Sequence, residues 1–362
     1  MVPDLTGLAT VLPDSDAYRD LGGSLGDRRD GRVYVHDQRI RTAVRVAIAS
    51  RRPLLLRGDP GSGKSSLAPF IARALGWRFY AATVTARTQA RDLMWEFDAL
   101  RRLSDAQTRR VTQPTQTLVD QLEPNPVDQL EYYVEPKVLW WALSATTAAA
   151  RGLSACPPSR SAQDPGVGPT SESENSGCVV LIDEIDKADP DVPNNLLECL
   201  GSLQFTVQET GFAVKADEKV LRGERPAPLV IVTTNDEREL PAAFLRRCAT
   251  LYLKRHDKPQ LLEIASKHFP ITGPDSATLE EAAASRRALF GFVADELLRL
   301  QGDARLKGRR QPSTAEYLDA LKACLAICPN PEADKEQWEQ ISQLTLDKTD
   351  PFADKGPADN AT

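Results

Sequence analysis

The chain has 362 residues, 41 % hydrophobic and 27 % charged, which supports a substantial core and one large domain beside a smaller one. Forty-five Lys and Arg against 51 Asp and Glu give a formal charge of -6, which argues against a nucleic-acid partner. Six scattered Cys without a CxxC pair and three dispersed His argue against a disulfide scaffold or an evident metal site. The N-terminal MVPDLTGLATVLPDSD has no basic or apolar signal region and no run of about 18 apolar residues occurs, so a cytoplasmic chain without a membrane span is expected.

Residues 1–32, rich in Gly and Asp, read as a loose arm. Ile40, Val44 and Ala47/Ile48 recur at helical spacing over 39–49. The apolar run 53–57, closed by Gly58, suits a buried strand, followed by a helix over 63–75 and a second buried strand over 78–84. A helix with a mixed Arg and acidic face is predicted over 89–105. In 154–177, thirteen of the 24 residues are Ser, Pro or Gly. Such a stretch buries too little surface to offset its ordering entropy, so a disordered insertion is expected.

The run 178–182 is the most strand-like in the chain, and a helix follows over 192–201. Residues 205–207 and 212–214 flank Glu209-Thr210-Gly211 as a hairpin, and 229–233 is another apolar strand. Beyond about residue 256 only helical spacing remains: Leu261 to Ile264, Leu279 to Leu300, and Tyr317 to Ile327, the last opened by a capping box from Ser313 to Glu316. Strands apolar throughout, alternating with helices, imply an α/β sandwich with a parallel sheet covered on both faces. The expected organisation is a core over 33–255, a small all-helical domain over 256–345 and a polar tail over 346–362.

Four motifs carry chemistry. Gly58-Asp59-Pro60-Gly61-Ser62-Gly63-Lys64-Ser65 matches the phosphate-binding pattern GxxxxGK[ST], between a strand and a helix that continues with Ser66. Its glycines let backbone N–H groups curl around a phosphate, and the helix N-terminus adds positive potential. Lys64 would reach the β/γ-phosphates and Ser65 would hold Mg²⁺. The run 179–184 ends a buried strand with Asp183 and Glu184, where Asp183 would act on Mg²⁺ and Glu184 would polarise the attacking water; a pair of acids capping the next helix is the plain alternative. Asn235 ends another such strand and can orient that water, or help a turn before Asp236. Arg246 and Arg247, the latter twelve residues after Asn235, are either a solvated face or a charge offered to a neighbouring subunit's phosphate.

In this order the motifs resemble those of the AAA+ ATPases: GDPGSGKS as Walker A, VVLIDEID as Walker B, Asn235 as sensor 1 and LRRC as the arginine finger. More narrowly the chain is similar to the MoxR-like branch, through PLLLRGDPGSGKSSLA, TARTQARDLMWEFDALRRL, LIDEIDKADPDVPNNLLECL, FTVQETG, IVTTNDERELPAAFLRRC and PSTAEYLDALKA. The resemblance covers about residues 33–330 and implies a P-loop core with a helical lid. It implies a ring, usually hexameric, that binds ATP and Mg²⁺ at each subunit interface. Lys64, Ser65, Asp183, Glu184 and Asn235 would act in cis, and Arg247, with Arg246, in trans. Backbone from Val33 to Ile40 would line the adenine pocket. Such proteins remodel others, often with a partner carrying a von Willebrand factor A domain. A nucleotide-gated switch with slow hydrolysis is the alternative, and a nucleic-acid-directed motor a third.

Two departures stand out. Thr314 occupies the place where the family's second-sensor Arg is expected, leaving Lys307, Arg309 or Arg310 to replace it or the contact absent. No aromatic-apolar-Gly pore motif occurs, so the segment 89–143 and the hairpin 203–215 are the candidate partner-contacting elements. Cys324 and Cys328, and Trp140 and Trp141, read as core residues. Arg87, Arg91, Arg101, Arg102, Arg109 and Arg110, interleaved with Asp92, Glu96, Asp98 and Asp105, read as a salt-bridged face or a subunit interface.

Overall fold

The computed structural model describes residues 31–112, 129–169, 177–270, 276–306 and 310–348. The arm before residue 31 and the tail after 348 lie outside them, as do Lys307, Arg309 and the side chains of Arg109 and Arg110. Helix α1 (Gln38–Ser50) is capped by Asp37, whose carboxylate accepts from the Ile40 N–H (2.9 Å), and turns Val44 and Ala47 inward. Strand β1 (Leu54–Arg57), helix α2 (Lys64–Leu75) and strand β2 (Arg78–Thr83) follow.

The predicted helix over 89–105 is not formed as one piece. It divides into a 3-10 turn (Ala90–Leu93), strand β3 (Trp95–Phe97) and helix α3 (Ala99–Thr112). The alternation Trp95-Glu96-Phe97 has a period of two. Trp95 is buried and Phe97 packs against the core, while Glu96 pairs with Lys137 at 2.6 Å. The Asp98 carboxylate then accepts from the Arg101 N–H (2.8 Å), which starts α3. Strand β4 (Val134–Pro136) pairs antiparallel with β3, and short helices α4 (Val138–Leu143) and α5 (Ala145–Ala149) follow. Trp140, fully buried, and Trp141 belong to the core. Among the described residues of this face, Asp105 accepts from the Tyr133 hydroxyl (3.0 Å) and Arg91 lies 3.8 Å from Asp92.

The stretch 154–177 corrects a second expectation. Its described part, 154–169, is held in place rather than disordered, because backbone groups replace the missing apolar side chains. Val167 exchanges two hydrogen bonds with Phe79 of β2 (2.8 and 2.9 Å). Arg78 donates to the Gly166 and Gly168 carbonyls (both 2.8 Å) and pairs with Asp164 at 2.7 Å. The segment thereby covers an edge of the sheet. Residues 170–176 lie outside the described residues.

Strand β5 (Cys178–Asp183), helix α6 (Asp191–Ser202) and the predicted hairpin, β6 (Gln204–Thr206) with β7 (Ala213–Lys215), come next. Helix α7 (Glu218–Leu221), strand β8 (Leu229–Thr234), helix α8 (Ala242–Leu245) and strand β9 (Ala249–Tyr252) complete this part. The main sheet runs β2-β5-β8-β1-β9, parallel throughout, with Leu54 facing Ile231 on one side and Ala249 on the other. Every residue of β5 and β8 is buried. Val180, Ile182, Val230 and Val232 face a cluster with Trp140 and Leu196. Val179, Leu181, Leu229 and Ile231 face Leu67 and Ile71 of α2 and Val44 of α1. Both faces of the sheet are thus covered, which is why its central strands β1, β5 and β8 carry apolar runs without alternation.

Helices α9 (Lys258–His268), α10 (Ser276–Leu306), α11 (Thr314–Ile327) and α12 (Lys335–Ser342) form the C-terminal region around their own core. The buried Tyr317 hydroxyl donates to the Phe290 carbonyl (3.1 Å). Cys324 and Cys328 pack in that core, and burial pushes the Cys324 thiol up to about 12. The capping box is present, with Ser313 and Glu316 exchanging bonds with each other's backbone. The architecture is the α/β sandwich with a parallel sheet and a helical C-terminal region that the sequence predicts.

Candidate nucleotide site

In a parallel sheet the carboxyl ends of the strands open together onto one crevice. Here β1 delivers the loop 58–65, β5 delivers Asp183 and Glu184, and β8 delivers Asn235. The loop needs two of its glycines for space. Gly58 has φ +143, and a Cβ there would lie 2.4 Å from the Leu253 carbonyl oxygen. Gly61 has φ +76, and its Cβ would lie 2.2 Å from Ser313 Cβ. Asp59 and Pro60 complete the outer turn, and Ser62 is buried beneath it. Helix α2 starts after Gly63 with no acidic residue in its first turn, which Lys64, Ser65 and Ser66 form. Its unpaired N–H groups and its dipole suit an anion.

Lys64 is 6 % exposed, and its ammonium donates to the Gly58 and Asp59 carbonyls (2.6 and 2.9 Å). Burial lowers its pKa, against the opposing pull of Asp183, Asp186, Asp59 and Asp236. A cation desolvated in this way gains by meeting a phosphate. Ser65 Oγ donates to Asp183 Oδ1 (2.8 Å), joining helix α2 to the end of β5. Two oxygen groups held side by side suit a hard cation such as Mg²⁺. Asp183 is 3 % exposed and also accepts from Thr233 Oγ1 of β8 (2.5 Å), whose oxygen accepts in turn from the Glu184 N–H (2.9 Å). Thr233 therefore fixes where β5 ends.

Glu184 takes a left-handed backbone conformation, φ +61. Non-glycine residues adopt it at a cost and mostly where structure elsewhere enforces it. Its carboxylate pairs with Lys187 at 2.7 Å, a bond that raises the Lys187 pKa. Asn235 follows β8 directly, and its N–H donates to Asp186 Oδ2 (3.0 Å). Lys64, Ser65, Asp183, Glu184 and Asn235 are thus gathered at the carboxyl end of the sheet. Arg246 and Arg247 are exposed after α8, and neither forms an ion pair among the described residues.

Several residues of this site carry no motif. Arg255 pairs with Asp59 at 2.7 Å and Arg57 with Asp236 at 3.0 Å, bracing both loops. Tyr34 stacks on Phe70 of α2 (5.5 Å between ring centres) and lies against Gly63, placing the segment 33–40 beside the loop. His256 Nδ1 lies 2.8 Å from Thr314 Oγ1, so the residue at the second-sensor place binds the segment entering the helical region. Arg310, a candidate to replace the missing Arg, is instead engaged with Glu316 (2.8 Å), which Lys348 also meets at 2.9 Å.

The profile of the AAA domain (dynein-related subfamily) matches residues 53–248. Among solved structures the chain is similar to a candidate ATPase from Cytophaga hutchinsonii, at 15 % identity over 85 % of this chain and 79 % of that one, with a TM-score of 0.35. It is also similar to a RuvB mutant from Thermotoga maritima, at 16 % identity over 85 % and 75 %, with a TM-score of 0.35. No curated protein matches the chain. The family match spans the loop at β1, the acidic end of β5 and the Asn at the end of β8, and with it the chain belongs to the AAA ATPases, in their dynein-related subfamily.

Proposed function

We propose that the chain hydrolyses ATP with Mg²⁺ as a subunit of a ring, usually a hexamer, of the MoxR-like type, and uses the energy to remodel or assemble a partner protein complex. The observation that carries this reading is the 2.8 Å bond between Ser65 and Asp183, with buried Lys64 beside it and Glu184 one residue further on. Residues 33–255 are the nucleotide core and 256–345 the lid. The N–H groups of residues 61–66 and the Lys64 ammonium take the phosphates, and the segment 33–40 takes the adenine. Ser65 and Asp183 would hold Mg²⁺, which would supply charge neutralisation for the phosphate oxygens. Glu184 accepts a proton from the attacking water and Asn235 orients that water for in-line displacement. Arg247 of one subunit, with Arg246 beside it, meets the γ-phosphate of the next. The exposure of both arginines and their lack of ion pairs among the described residues support that role.

The hairpin β6–β7 and the ribbon β3–β4 are the elements offered to a partner, one carrying a von Willebrand factor A domain in the MoxR-like reading. They form one unit, since Trp95 donates to Glu209 (2.8 Å) and stacks on Phe205 at 5.5 Å. We place the protein in the cytoplasm, without a nucleic-acid partner. A second reading, a nucleotide-gated switch with slow turnover, is favoured by the engagement of Glu184 with Lys187. ATP binding and phosphate release, measured with Mg²⁺ and with a chelator, test the proposal. Lys64→Ala abolishes binding and Glu184→Gln abolishes release only. Release that persists without Mg²⁺ or in Glu184→Gln contradicts it.

A further inference from the structure

We propose that Asp186 is a positioning residue for hydrolysis: by holding the turn that carries Asn235, it sets where Asn235 meets the water that Glu184 polarises. The inference rests on the hydrolytic reading above. Asp186 lies two residues after Glu184 and is 2 % exposed. Its Oδ2 accepts from the N–H of Asn235 and from the N–H of Glu237, both at 3.0 Å. These two groups straddle Asp236, a non-glycine residue at φ +59. Such a conformation persists only where its surroundings impose it.

Asp186 is not needed for its own turn. The 3-10 turn Ile185–Lys187 is closed by backbone bonds, Lys187 N–H to the Glu184 carbonyl (3.0 Å) and Ala188 N–H to the Ile185 carbonyl (3.2 Å). Its carboxylate instead reaches residues 49 and 51 positions away, across from β5 to β8. Its other oxygen, Oδ1, is buried with no hydrogen-bond partner among the described residues. Burying a carboxylate with one oxygen unpaired is costly, so a site that needed only filling would not use one.

The ends of β5 and β8 therefore hold each other. Thr233 of β8 binds Asp183 and the Glu184 N–H, and Asp186 after β5 binds the Asn235 N–H. The backbones of Glu184 and Asn235 are thereby tied to each other's strand ends by the side chains of Thr233 and Asp186.

The test compares kcat, KM for ATP and thermal unfolding for the full chain, Asp186→Ala, Asp186→Asn, Asp186→Glu and Glu184→Gln. Asp186→Ala lowers kcat by about 10²-fold with little change in KM, as a misplacement of about 1 Å does. Asp186→Asn keeps an oxygen that can accept both N–H groups and restores most of that kcat. Asp186→Glu keeps the charge, moves the oxygen by one methylene and stays impaired. The proposal is overturned if Asp186→Ala or Asp186→Glu keeps wild-type kcat, or if Asp186→Asn is as impaired as Asp186→Ala. Where Asp186→Ala does not fold, the Asn and Glu variants decide alone, and active Glu beside inactive Asn overturns it. A wild-type chain whose turnover equals that of Glu184→Gln refutes the hydrolytic reading instead.

Discussion

The Lys187 ammonium lies 2.7 Å from Glu184 Oε2, three residues along the same turn. One oxygen of the acid expected to polarise water is therefore already engaged by a cation. The pair is partly solvent-exposed, where water screens the attraction, so Lys187 biases Glu184 rather than locking it. Lys187→Met is expected to raise turnover at unchanged ATP affinity, because the Glu184 carboxylate loses a competing partner. Steady-state phosphate release beside equilibrium nucleotide binding checks it. A fall in turnover would mean that Lys187 holds the acid in its working orientation.

Gly61 and Ser313 bring the loop and the helical region into direct contact. A Cβ at Gly61 would lie 2.2 Å from Ser313 Cβ, and the backbone there has φ +76. Gly61→Ala thus imposes left-handed strain of about 1–2 kcal/mol and also displaces Ser313. Denaturant unfolding should show at least that loss, with weaker ATP binding. Unchanged stability would mean that the loop and helix α11 part freely.

His256 makes stability depend on pH. Burial, partly opposed by Asp257, holds its imidazole below the ordinary value of 6.5, and its Nδ1 is bonded to Thr314. The folded chain prefers the neutral ring. Above 6.5 the ring is neutral in both states and the contribution is complete. Below that value the unfolded chain takes up the proton first, so stability is lost as pH falls toward the folded-state pKa. The Tm of the wild type should drop more between about pH 7 and pH 5 than that of His256→Gln, since His titrates there and Gln does not. Equal drops would remove His256 from the account.

A site shared between subunits can be rebuilt from two defective partners. Arg247→Ala retains Glu184, and Glu184→Gln retains Arg247. Each alone should lose turnover, by about 10³-fold or more for the finger and about 10²–10⁴-fold for the base. Mixed, they should recover a measurable fraction, because some interfaces then join an intact acid to an intact arginine. A mixture no more active than its parts would mean that Arg247 does not act across an interface.

Strands β1, β5 and β8 were legible because they are buried on both faces, whereas β9, half-exposed and only four residues long, carries no apolar run and was not read from the sequence. The runs at 54–56, 178–182 and 229–232 are apolar with no alternation, and the loop at 58–65 carries its own spacing. Strand β3 was not legible, because its partner Val134–Pro136 lies across an intervening helix. A three-residue alternation inside a helical pattern looks like helix until that pairing is known. The order of 154–169 comes from backbone bonds to Phe79 and from Arg78, neither of which leaves a hydrophobic pattern. At the candidate site, Lys64, Ser65, Asp183, Glu184 and Asn235 were singled out by type and spacing, and the fold brings them to the same end of the sheet. Asp186, Thr233 and Arg255 act through partners far along the chain, and only the third acid of the run Asp183-Glu184-Ile185-Asp186 hinted at one of them.

The most direct measurement is ATP hydrolysis per protomer across a wide range of protein concentration, wild type beside Glu184→Gln. The account predicts a wild-type specific rate that rises with concentration as subunits meet, and a rate close to zero in the variant at every concentration. A wild-type rate that is flat with concentration, or a variant that hydrolyses as fast as the wild type, would contradict it.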